Sequence, residues 1–180
     1  MASLKDSIVF ITGASSGIGE ACARTFAKEG AALLLAARRK DRVDRLAREL
    51  QAEHRIRTHT LQLDVRDRGA VDAAISGLPP EWRAIQILIN NAGLARGFSK
   101  VHEGSVQDWE EMIDTNIKGL LYVSRAVIPG MVERKAGHVI NIGSIAGHQV
   151  YPNGNVYCAS KFAVRALTEG LKMDLLGTGV

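Results

Sequence analysis

Ser7-Ile8-Val9-Phe10-Ile11-Thr12-Gly13-Ala14-Ser15-Ser16-Gly17-Ile18-Gly19 is the stretch on which the fold reading turns. Its first six residues form a short apolar run of strand character, and a helical pattern runs from about Gly17 to Lys28. Between them lies a glycine-rich turn. Glycine lets the backbone approach a ligand closely, and the free N–H groups at the start of a helix can face a pyrophosphate. Alone, the same residues also make a plain tight turn, so the rest of the chain has to decide.

The alternation repeats downstream. Ala32 to Ala36 reads as a second buried strand, and Val43, Leu46, Ala47 and Leu50 recur at helical spacing. On that helix Asp41 with Arg45 and Asp44 with Arg48 stand at i, i+4, which predicts a solvated, ion-paired face. Thr58 to Leu63 gives a third strand. Val71, Ala74, Ile75 and Leu78 mark a helix closed by Pro79-Pro80, and Ile85 to Asn90 gives a fourth strand. Ser105 and Asp108 form a capping pair before a long helix through Trp109, Met112, Ile113 and Ile117. His138 to Gly143 supplies a fifth strand, and a last helix is predicted from about Asn155 to Leu176. Almost continuously apolar strands, each followed by a helix, imply α/β architecture: a doubly wound parallel sheet covered on both faces. Such sheets bind ligands at the carboxyl ends of their strands.

Composition agrees and narrows the function. The 180 residues are 46% hydrophobic and 23% charged, which suits one folded domain and excludes disorder. The 18 glycines against 4 prolines fit strand-to-helix turns better than a long-helix bundle. A formal charge of +4 hints at nucleic acid, but the 23 Lys and Arg are interleaved with 19 Asp and Glu, so no basic binding face is expected. Cys22 and Cys158 make no disulfide framework, which points to a reducing compartment. The amino-terminal apolar run Ile8 to Ile11 is too short for a signal-peptide core. Ala31 to Ala37, the longest apolar block, falls far short of the roughly 20 residues that cross a bilayer. A soluble cytoplasmic protein is expected. The histidines show no His-Glu-x-x-His motif, so no catalytic metal is expected.

Several residues at the predicted strand ends carry chemistry. The second strand ends at Ala37-Arg38-Arg39 without the acid that NAD-preferring folds use for the ribose hydroxyls. Two guanidiniums suit the 2′-phosphate of NADP instead, or are solvated arginines that open a helix. If charge-assisted contacts contribute about 3 kcal/mol, preference over NAD is about 100-fold. Asp64, followed by Val65, suits an adenine amino group and equally the N-cap of a downstream helix. Asn90-Asn91-Ala92-Gly93 closes the fourth strand, either holding a cofactor and bracing the sheet or making an Asn-rich turn. Asn116 inside the long helix needs a carbonyl, a water or a side chain as partner.

Tyr157 and Lys161 stand four apart on the last helix and project from one face. Lowering a phenol from a pKa of about 10 to about 7 takes some 4 kcal/mol of stabilisation by nearby positive charge. Lys161 supplies such a charge, or is a surface lysine beside a half-buried tyrosine. Ser144 beyond the fifth strand can reach the same crevice and hydrogen-bond a carbonyl oxygen. Cys158, beside Tyr157, reads as a packed core cysteine.

Taken together, Thr12-Gly13-x-x-x-Gly17-x-Gly19, Asn90-Asn91-Ala92-Gly93, Asn116, Ser144 and Tyr157-x-x-x-Lys161 resemble the short-chain dehydrogenase/reductase family in order and spacing. The resemblance implies that Tyr157 is the acid/base, that Lys161 lowers its pKa and holds the nicotinamide ribose, that Ser144 orients substrate, and that Asn116 positions a relay water. It makes Gly13, Ser15, Ser16, Gly17, Ile18, Gly19, Arg38, Arg39, Asp64, Val65, Asn91, Ala92 and Gly93 the cofactor-binding residues, with Tyr157 and Lys161.

More narrowly, Leu78-Pro-Pro-Glu-Trp82, Asn90 through Gly97, Asp108 through Asn116 and Gly154-Asn155-Val156-Tyr157 are similar to NADP-dependent 3-hydroxy acid dehydrogenases. These oxidise serine, allo-threonine and related acids or reduce malonic semialdehyde. The stretch His148 to Asn153 departs from that pattern where the substrate pocket is expected. Family members pair through the helices that here hold Asn116 and Tyr157, which implies a dimer or tetramer.

The sequence ends at Gly177-Thr178-Gly179-Val180, where the family continues into a sixth strand, a Pro-Gly turn, a substrate lid and a seventh strand. The expectation is therefore a single Rossmann-like dinucleotide-binding domain over residues 1–180, lacking the last two strands and the lid. The fifth strand would then show an open edge unless another element covers it. The leading function is hydride transfer between NADP and a small 3-hydroxy acid. The alternatives are a reductase of another small carbonyl compound and an NADP-binding or interaction module without normal turnover.

Overall fold

The computed structural model describes residues 4–180. Met1 to Ser3, part of the amino-terminal stretch read above for a signal peptide and of the predicted 1–180 domain, lie outside the described residues. Among these residues five strands form one parallel sheet: β1 (Ile8–Thr12), β2 (Ala32–Ala37), β3 (Thr58–Gln62), β4 (Ile85–Asn90) and β5 (His138–Asn141). Their order is β3-β2-β1-β4-β5. Chain order reverses between β1 and β4, and the crevice above such a reversal is where this architecture binds ligands.

Among the described residues six α-helices cover the sheet: α1 (Gly17–Lys28), α2 (Lys40–His54), α3 (Arg68–Ser76), α4 (Val106–Ile113), α5 (Leu120–Glu133) and α6 (Asn155–Asp174). The two-residue period of the strands sorts the core into two layers. Ile8, Phe10, Leu34 and Leu88 point to the layer closed by Val71 of α3 and by Val123, Val127 and Met131 of α5. Val9, Ile11, Leu33 and Leu35 point to the layer closed by Ala23 and Ala27 of α1 and by Val43, Leu46 and Leu50 of α2. Every residue of β1 and β2 is buried. Each fully buried leucine or isoleucine there contributes about 1.5–3 kcal/mol, so sheet register is firmly set.

That register aligns the carboxyl ends: Thr12 opposes Ala36, Ala37 opposes Gln62, and Asn90 opposes Asn141. The predicted binding residues follow these ends and so arrive at one edge of the sheet.

The structure departs from the sequence reading in several places. Asp44 is held by Lys40 and by the hydroxyl of Thr60, not by Arg48, because the polar edge of β3 approaches that turn of α2. Helix α3 stops at Ser76 before Pro79-Pro80, since Gly77 already returns its N–H to Ala73. The predicted long helix is three consecutive segments, with a π-helical turn over Asp114–Gly119 between α4 and α5. Strand β5 ends at Asn141 instead of Gly143: the Ile142 N–H still reaches Asn90, but its carbonyl has left the ladder to accept the Lys161 ammonium. The last helix ends at Asp174. Beside β5, away from β4, lies an apolar groove of about 420 Å³ lined by β5, α6 and Val180.

Candidate active site

Two adjoining cavities open along the carboxyl edge of the sheet. The first, about 410 Å³, is lined by Ser15 and Ser16 of the turn, Arg38 and Arg39 after β2, and Asp64 and Val65 after β3. The second, about 310 Å³, is lined by Gly17 and Ile18, Asn91, Gly143, Tyr157 and Lys161. Gly13, Ala92 and Gly93 belong to both, so one crevice runs from the arginines to the tyrosine.

The turn before α1 is held open by its glycines. Gly13 and Gly17 adopt left-handed backbone, φ +66° and +60°, a conformation that favours glycine. A Cβ at Gly17 would meet no atom within 4 Å and would project into open space, whereas one at Gly19 would lie 2.4 Å from Asn91 Nδ2 and 2.6 Å from the Gly13 carbonyl. Gly19 is thus required for packing under the turn and does not line either cavity. Ser16, the N-cap residue of α1, makes no side-chain cap, so the first N–H groups of the helix stay available to an anion.

Thr12 brings the turn to β4. Its hydroxyl donates to the Ile89 carbonyl and accepts from the N–H groups of Asn91 and Ala92. The Asn91 amide donates to the Thr12 and Gly13 carbonyls, at 2.9 and 3.2 Å, so its side chain braces the turn. Asn90 is also a brace, donating to Ser124 and Asn141.

The charged rim is a network. Arg39 donates to the hydroxyls of Ser15 and Ser16 at 2.9 and 2.8 Å. Arg38 stands 3.8 Å from Glu111, a carboxylate that also takes Arg66 and Arg96. Asp64 is gripped by the Arg66 guanidinium, which holds its carboxyl below the usual range. The N-cap of α3 is Asp67, whose side chain accepts from Ala70 N–H, which settles the capping alternative against Asp64.

At the other end Tyr157 is half-buried, and Lys161 Nζ lies 6.0 Å from its ring centroid. Lys161 is 8% exposed and donates to the Ile142 carbonyl at 2.9 Å. Burial pushes its ammonium below the ordinary 10.5. Below the folded-state pKa both folded and unfolded chains carry this charge, and burying it costs the fold. Above 10.5 neither carries it. Stability therefore gains from this group as the pH rises between the two values, because the unfolded chain binds the extra proton there. In Lys161→Met that part of the rise should vanish, as read from urea midpoints across the same window; an unchanged slope would contradict it.

Asn116, on the π-helical turn, is buried with its partners found: its amide oxygen accepts from Leu94 N–H, and its nitrogen donates to the Leu94 carbonyl and to Ser160 Oγ. Ser160 donates to the Tyr157 carbonyl. Gly93 lies over this group, and a Cβ there would be 3.3 Å from Asn116 Oδ1 and 3.7 Å from Lys161 Nζ. Ser144 caps a short 3₁₀ turn, accepting from Ala146 N–H, and lines neither cavity. Neither cysteine is in a disulfide: Cys158 is buried and Cys22 is partly exposed. Ser160, Arg66 and Glu111 are contributors that sequence reading missed, and Thr12, quoted there as part of the glycine-rich motif, proves to brace the turn against β4. Among the described residues no group of three or more His, Cys, Asp or Glu is placed to hold a metal, and no helix is long and apolar enough to cross a membrane.

A parallel doubly wound sheet with a glycine-rich turn after β1 and a Tyr-Lys pair in the crevice defines a dinucleotide-type oxidoreductase fold. The chain belongs to the short chain dehydrogenase family, whose sequence pattern it matches over residues 7–180. It is 51% identical over 173 residues to the NADP-dependent 3-hydroxy acid dehydrogenase YdfG of Salmonella typhi, spanning 96% of this chain and 68% of that one. It is 49% identical over 174 residues to sulfoacetaldehyde reductase 2 of Chromohalobacter salexigens, with the same coverage. Among solved structures, the closed form of a serine dehydrogenase complexed with NADP+ superposes with a TM-score of 0.88 at 49% identity, covering 94% of this chain and 67% of that one.

Proposed function

We propose that this oxidoreductase transfers a hydride between NADP and a small 3-hydroxy acid of the serine, allo-threonine or 3-hydroxypropionate type. The observation that carries the reading is the single crevice joining Arg38 and Arg39 to Tyr157 and Lys161. Its residues fit the cofactor: uncapped N–H groups and open space at Gly17 for the pyrophosphate, and guanidiniums for a 2′-phosphate. Held by these residues, NADP would supply the hydride acceptor or donor.

The chain's own groups handle the proton and the geometry. The Tyr157 hydroxyl takes the proton of the alcohol or returns it to the carbonyl oxygen. Lys161 supplies the positive charge that favours the phenolate, and Ser144, one residue beyond the cavity-lining Gly143, orients the reacting oxygen. Asn116, joined through Ser160 to the backbone of Tyr157, fixes the floor on which a relay water would rest. A spectrophotometric screen of serine and other 3-hydroxy acids with NADP and NAD tests this: NADP-linked turnover is expected, and turnover only with NAD, or only with alcohols lacking an acid group, would refute it.

A second reading, a module that binds NADP without turnover, is favoured by the open edge of β5 and its apolar groove. Fluorescence titration showing NADPH binding, combined with no oxidation of any 3-hydroxy acid, would select it. A homo-oligomer formed through α4, α5 and α6 is supported by the exposed Ile113, Leu121 and Phe162, and light scattering should show a dimer or tetramer; a monomer would end that reading. A cytoplasmic location accords with two cysteines left unpaired.

A further inference from the structure

We propose that Thr115 is a further cofactor-binding residue, whose hydroxyl serves the adenosine end of NADP. This rests on the NADP reading above and adds a residue to it. Thr115 is 8% exposed, and its Oγ1 is a buried side-chain atom without a hydrogen-bond partner. The residue nevertheless lines the first cavity, together with Arg38, Asp64, Val65 and Ala92.

A hydroxyl inside a helix ordinarily returns to the carbonyl one turn back, as Thr25 does to Ala21 and Thr168 to Val164 in this same chain. Thr115 sits instead on the π-helical turn Asp114–Gly119, where backbone spacing is altered, and makes no such bond. An unpaired buried hydroxyl disfavours the fold unless something else repays the cost, and groups of this kind in native proteins call for a reason. Its neighbour Asn116 is fully committed to Leu94 and Ser160, so the two adjacent residues divide the work. Asn116 ties the turn to the tyrosine helix, and Thr115 forms part of the cavity wall with its hydroxyl oxygen buried behind it. With no bond to hold it, the hydroxyl can turn about Cα–Cβ to a rotamer that presents it to a ribose hydroxyl or an adenine ring nitrogen. A valine would pack the same wall and leave nothing unpaired, so packing alone gives no reason for the hydroxyl.

The test pairs Thr115→Val with Thr115→Ser and measures binding of NADPH and of adenosine 2′,5′-bisphosphate by calorimetric titration, with the melting temperature of the ligand-free chain. Thr115→Val should weaken both ligands by the same factor, about three- to tenfold, the worth of one hydrogen bond. Its ligand-free melting temperature should equal or exceed that of the parent, because an unpaired group has been removed. Thr115→Ser, which keeps the hydroxyl, should bind as the parent does. Parent-like affinity in Thr115→Val, equal losses in both variants, or a lower ligand-free melting temperature would each overturn the inference. A parent chain that binds neither ligand would sink the NADP reading and this inference with it, an outcome distinct from a parent that binds and a valine variant indifferent to the change.

Discussion

Tyr157→Phe is expected to lower turnover of a 3-hydroxy acid by about one hundred- to ten-thousand-fold, the usual contribution of a positioned acid/base group, while NADPH affinity changes little. The variant loses one oxygen and keeps the ring, so the cavity wall and the 6.0 Å separation of ring and Lys161 Nζ are preserved. What disappears is the only group on that face proposed to exchange the substrate proton. Lys161 stays buried beside the ring, and burial holds its ammonium below the ordinary 10.5. Parent turnover should depend on pH through the acid/base step, and the residual turnover of Tyr157→Phe should lose that dependence. Stopped-flow or steady-state rates across a pH series, with NADPH titration as control, provide the check. Undiminished turnover in the variant would remove Tyr157 from its proposed role.

How much of this arrangement can be read from residues alone differs from one side chain to the next. Strands β1 and β2 are legible because each is a short apolar block buried along its whole length, β4 because its apolar run is buried at all but Gln86 and Ile87, and the turn between β1 and α1 because left-handed backbone such as that at Gly13 and Gly17 favours glycine. Tyr157 and Lys161 are legible because helical spacing places them on one face whatever the rest of the chain does. Other contributors depend on contacts that spacing cannot reveal. Glu111 meets Arg66 across 45 residues, and nothing near either residue announces the pairing. Thr12 looks like the last residue of a strand until the fold brings the N–H groups of Asn91 and Ala92 to its hydroxyl. The early end of β5 is decided by Lys161 drawing on the Ile142 carbonyl, a contest between ladder and side chain visible only in three dimensions. The π-helical turn is similar: an asparagine inside a helical pattern signals something unusual, but not that the backbone itself is widened there.

The second large effect concerns the choice between NADP and NAD. Arg38→Ala should weaken NADPH binding about ten- to one-hundredfold, corresponding to a charge-assisted contact of about 1.5–3 kcal/mol, and leave NADH binding nearly unchanged. NADH lacks the 2′-phosphate, so it has nothing to lose when that guanidinium goes. The geometry separates Arg38 from its neighbour. Arg38 is in a loose ion pair with Glu111 at 3.8 Å and its side chain is 52% exposed, so it can meet an incoming phosphate at modest cost. Arg39 is already engaged with Ser15 and Ser16, and the loss of those bonds in Arg39→Ala should loosen the turn and weaken NADPH and NADH together. The contrast between the two variants thus distinguishes phosphate recognition from support of the turn. Raising the salt concentration should reduce the NADPH affinity of the parent more than that of Arg38→Ala, because the contact removed is the one that ions screen. Fluorescence titration of the parent and both variants with each cofactor supplies the six affinities, and equal losses for NADPH and NADH in Arg38→Ala would show that Arg38 shapes the cavity without reading the phosphate.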